Sequence, residues 1–84
     1  MTAIELKRRL RHILSEETIA NPDWNSIAKL CSDLSREMMP PAADASPHII
    51  HHFLADFDIR HRDPEYAEMQ YNEVRNYVEI QVLD

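Results

Sequence analysis

Residues 23–38 read DWNSIAKLCSDLSREM, and within them Trp24, Ile27, Cys31, Leu34 and Met38 recur in alternating steps of three and four. An α-helix turns through 3.6 residues, so this spacing gathers all five side chains on one face, whereas a strand would scatter them over both. Ala28 and Leu30 stand beside that stripe, and Ser, Asp, Lys and Arg fill the rest. The segment is therefore an amphipathic helix with one face to bury, and Trp24 is expected at the centre of what it buries.

The same period recurs on either side. From about Ala3 into the Glu16–Ile19 region, Ala3, Leu6, Leu10, Ile13 and Leu14 form a second stripe. From about Pro47 to Phe57, Ile49, Ile50, Phe53, Leu54 and Phe57 form a third. From Pro64 onward, Tyr66, Ala67, Gln70, Val74, Tyr77 and Val78 share a face opposite Glu65, Glu68, Asn72, Arg75, Asn76 and Glu79.

Four helix starts rest on local chemistry. A short polar side chain can accept from the unpaired N–H groups of a first turn, and proline needs no N–H at the first helical position. Asn21-Pro22, Ser46-Pro47 and Asp63-Pro64 each supply that pair, and Thr2 with Glu5 three residues later has capping-box spacing. Between the second and third segments, Met39 to Ser46 carries Pro40-Pro41, which cannot continue a helix.

Val78, Ile80 and Val82 alternate with Glu79 and Gln81, so residues 78–83 read either as a helix end, the favoured reading, or as a half-buried strand. A strand there would have to pair with a second copy or a partner.

The 84 residues include no glycine, one cysteine and five prolines. Tight hairpins, phosphate-cradling loops and nucleophile elbows all lean on glycine, so Walker, Rossmann and α/β-hydrolase readings fall away. The fold expected is all-α: one domain over residues 1–84, a compact four-helix up-down bundle of two helical hairpins joined by the proline-rich linker. Cys31 alone permits no internal disulfide, and no apolar run approaches 18 residues, so a cytoplasmic protein without a membrane span is expected.

Charge is unevenly laid out. Residues 1–42 carry six basic and six acidic side chains, whereas residues 43–84 carry three basic and nine acidic, which places the whole net charge of -6 in the second half. In the first helix Lys7, Arg8, Arg11 and His12, with Arg9 at the flank, form an outward basic ridge. Nucleic acid is disfavoured as a ligand because the domain is acidic and its aromatics sit mostly on core stripes.

No Ser, His and Asp set, carboxylate pair or activated thiol can be assembled, and no cofactor is called for. The expected function is a non-enzymatic protein-binding or regulatory module of adaptor or inhibitor type, whose partner carries a basic surface. Its acidic half would steer association, and Asp58, Arg60 and Arg62 would set register through directional hydrogen bonds. The alternative is a metal-binding or pH-sensing helix: His48, His52 and Asp56 follow one another at i, i+4 and i+8, with His51 beside them, so two imidazoles and a carboxylate could share a divalent cation. A homodimer is expected through the end of the last helix, where Tyr71, Ile80, Val82 and Leu83 spread beyond the main stripe.

Overall fold

A computed structural model describes residues 2–38 and 48–80. Within them the chain forms five helices and no strand: α1 (Ala3–Glu17), α2 (Trp24–Met38), α3 (His48–Ala55), α4 (Phe57–Arg62) and α5 (Pro64–Ile80). The Pro40-Pro41 linker, the Ser46-Pro47 start, Val82 and Leu83 lie outside the described residues. No described residue has a positive φ, as suits a chain without glycine.

Capping chemistry sets two helix starts where the sequence places them. The Glu5 amide donates to the Thr2 hydroxyl at 3.1 Å, while the Glu5 carboxylate pairs with Arg8. Asp63 accepts from the amides of Glu65 and Tyr66 at 3.1 and 3.2 Å, and Pro64 fills the first helical position. The start of α2 differs. Asp23 rather than Asn21 accepts from the Ser26 amide, at 3.3 Å, so the helix begins at Trp24.

The expected third helix is divided. Backbone bonds run through the break, from the Asp56 amide to the His52 carbonyl and from the Arg60 amide to the Asp56 carbonyl. The Asp56 carboxylate leaves α4 uncapped and turns to α5, where it accepts from the Tyr66 hydroxyl at 2.6 Å and from Gln70 Nε2 at 3.0 Å. A tertiary demand on Asp56 thus interrupts a helix that local periodicity would carry through, and the described residues form five helices where the sequence led to four for the chain.

The buried faces are those the stripes mark. Leu6, Leu10, Ile13 and Leu14 of α1, Ile27, Cys31, Leu34 and Met38 of α2, Ile50, Phe53 and Leu54 of α3, and Ala67, Tyr71, Val74 and Val78 of α5 make one apolar cluster. α1 packs on α2 and α5, and α3 closes the circuit by packing on the same two helices. Arg9 near the start of α1 pairs with Glu37 near the end of α2 at 2.7 Å, so those two helices run antiparallel. α1 and α5 are antiparallel too, since Glu17 meets Tyr71 while Lys7 lies over Tyr77.

Three side chains depart from expectation. Trp24 is half-buried at the edge of the core rather than at its centre. Lys7 is only 6% exposed, with its ammonium 5.5 Å from the Tyr77 ring, so the basic ridge reduces to Arg8, Arg11 and His12. Tyr71 is buried against Glu17 rather than spread outward, which removes it from the expected dimer surface, and the side chains of Ile80, Val82 and Leu83 lie outside the described residues.

Candidate functional site

α4 has six residues, too few to hold its shape alone. What fixes it is Arg60, expected at a partner-binding surface and found 2% exposed in the middle of the molecule. Its guanidinium lies 3.9 Å from the Phe53 ring, and all five of its N–H donors have acceptors. Nε and Nη2 form a fork on Glu17, at 2.8 Å to Oε1 and 2.7 Å to Oε2. Nη1 donates to Gln70 Oε1 at 2.8 Å and to the Phe53 carbonyl. The second Nη2 hydrogen points at Cys31 Sγ, 3.8 Å away.

Arg60 therefore joins α4 to each of the other described helices: Glu17 ends α1, Cys31 lies on α2, Phe53 on α3 and Gln70 on α5. The acceptors have further donors of their own. Tyr71 donates its hydroxyl to Glu17 Oε1 at 2.8 Å, and Gln70 passes Nε2 to Asp56 and Tyr66. No buried side-chain nitrogen or oxygen among the described residues lacks a partner. A paired charge is the condition under which ions are tolerated in a core, because each unmet donor or acceptor would cost about 1–3 kcal/mol.

Burial shifts the neighbouring titrations. The Cys31 thiol is pushed up to about 11, first by its burial and then by the Glu17 carboxylate, with Arg60 pulling the other way. Its thiolate is scarce at neutral pH, and the group acts as a small apolar filler with a weak acceptor. Tyr71 is raised by burial and by its bond to Glu17, and Tyr66 by the bond it donates to Asp56. The arrangement holds geometry by charge-assisted hydrogen bonds.

The outward side of α4 is the complement of this anchor. Asp58, His61 and Arg62 are exposed, and His61 stacks on Trp24 of α2 with ring centres 4.7 Å apart and planes 12° from parallel. Of the three residues expected at a partner surface, Asp58 and Arg62 are exposed, while Arg60 is corrected to an internal tie. On α5, Glu65, Glu68 and Glu73 are exposed as well.

His48 and His52 are exposed on α3, but Asp56 is held by Tyr66 and Gln70, and the break at Asp56 ends the helical series. Among the described residues no three His, Cys, Asp or Glu side chains are grouped to hold a metal ion. No helix among them is long and apolar enough to cross a membrane.

Glu17 is the residue that sequence reasoning missed. A signal was present: Glu17 falls three and four residues after Leu14 and Ile13, on the apolar stripe of α1, as Gln70 falls on that of α5. Polar residues on core faces must find one another, and Glu17 and Gln70 meet at Arg60. Compared with protein families, with curated proteins and with solved structures, the chain matches none.

Proposed function

We propose that the protein is a non-enzymatic binding module of adaptor or inhibitor type, which recognises a protein partner with a basic surface. The observation that carries this reading is the contrast within α4. One short helix is locked from the inside through Arg60 and offers Asp58, His61 and Arg62 outward beside Trp24, while Glu65, Glu68 and Glu73 stand exposed on α5. A pre-ordered helix loses little freedom on binding, and an aromatic next to an arginine is the usual make-up of a binding hot spot. The net charge of -6 would speed encounter with a cationic surface and make the association rate fall with salt.

The antiparallel α1–α2 and α1–α5 pairs support an up-down bundle in which α3 and α4 together fill the third position. A lone buried thiol suits a reducing cytoplasm.

The test is affinity purification from host cells followed by mass spectrometry, comparing the wild type with Asp58→Lys plus Arg62→Glu. Circular dichroism verifies that the variant stays folded. A stoichiometric protein lost with the variant is expected. Undiminished recovery would reject the surface, and the absence of any stoichiometric protein would reject the function.

A further inference from the structure

α1 and α5 leave an open groove between them of about 250 Å³, and no residue of α4 lines it. Leu14 and Val78, both nearly buried, lie at its base, while Arg11 and Ser15 enter from α1 and Arg75 and Glu79 from α5. Neither arginine is paired with a carboxylate among the described residues, although Arg8, Arg9, Arg36 and Arg60 all are.

Arg75 is also positioned. Its guanidinium carbon lies 5.7 Å from the centre of the Tyr71 ring, and that ring is pinned by the bond its hydroxyl donates to buried Glu17. A guanidinium resting on an aromatic face keeps the edge of its fork available for a planar pair of oxygens. The buried network thus reaches the surface through Glu17, Tyr71 and Arg75 in turn.

We infer that this groove is an oxyanion site for a phosphate monoester. Two guanidinium forks and the Ser15 hydroxyl offer more donors than the two oxygens of a carboxylate can accept, and they suit the three terminal oxygens of a phosphate. At about 30 Å³ per water, the groove has room for roughly eight, enough for a phosphate with a short organic body over Leu14 and Val78. Glu79 is the opposing charge. It leaves the groove one net positive charge, from two arginines and one glutamate, and it favours a ligand with a hydroxyl to donate beside the phosphate.

The test is a ¹H–¹⁵N NMR titration of the full chain at constant ionic strength with glycerol phosphate, with a phosphoserine peptide and with acetate. Saturable shifts are expected at Ser15, Arg75 and Glu79 with both phosphate ligands. The tighter of the two identifies the source as a small metabolite or a modified protein, and either outcome supports the site. Arg75→Gln and Arg11→Gln should each weaken binding about tenfold, while Arg8→Gln changes nothing, and the spectra themselves show whether each variant is folded. Acetate binding as tightly as phosphate, shifts that do not saturate, or an unchanged affinity in folded Arg75→Gln would overturn the inference.

Discussion

Replacing Glu17 by leucine removes the acceptors of two Arg60 donors and of the Tyr71 hydroxyl while leaving the guanidinium fully buried. An uncompensated buried charge costs about 3–5 kcal/mol and an unmet buried hydroxyl about 1 more, so the variant should lose roughly 4–6 kcal/mol. A domain of 84 residues has about 4–13 kcal/mol in total at usual values per residue, and its small size favours the lower end. Glu17→Leu should therefore unfold or nearly unfold the protein, and the measurement needs an osmolyte such as trimethylamine oxide to bring the native state back into range. Urea unfolding followed by far-UV circular dichroism supplies the free energy.

Arg60→Met should cost a similar amount because it leaves Glu17 buried and unpaired. The double variant removes both charges together and should be more stable than the sum of the two losses predicts, by about 2–3 kcal/mol. A Glu17→Leu protein within about 1 kcal/mol of the wild type would refute the reasoning, since it would mean that water reaches the pair.

Three further outcomes follow from the same packing. Cys31 is raised from 9.0 to about 11 on folding, so its contribution is present below the unfolded value and fades as pH climbs towards 11, by at most about 3 kcal/mol; Tyr71 acts in the same direction, and Cys31→Ala should flatten part of the alkaline decline in melting temperature. Trp24→Ala should cost about 1–3 kcal/mol, less than a fully buried aromatic, and His61→Ala should red-shift the emission of the single tryptophan as its stacked face meets water, so an unmoved spectrum would dismiss the stack. Asp63→Ala should lower the melting temperature by about 4–8 °C through the loss of two capping bonds at the start of α5, and Asn21→Ala should lower it much less because Asp23 caps α2.

Helical identity was legible because it is local. The stripes through Leu10, Leu34, Phe53 and Val74 and the caps at Thr2 and Asp63 depend on residues within one or two turns, and α5 keeps its helical period as far as Ile80 despite the alternation of its last residues. The acidic second half and the exposed Asp58 and Arg62 could be read for the same reason, from charge and from the side of the helix that the apolar stripe leaves over.

Tertiary structure alone decided what lies where two signals compete. Arg60 has the chemistry of a surface residue, and only a carboxylate 43 positions away, ending another helix, makes its burial tolerable. Asp56 could have continued α3 or ligated a cation beside His52, and the donors of Tyr66 and Gln70 across the core drew it away from both. A stripe states which face is apolar, because burial there needs no particular partner. A charge can go inside only where several distant groups converge with matching donors and acceptors, and that convergence exists once the helices have packed.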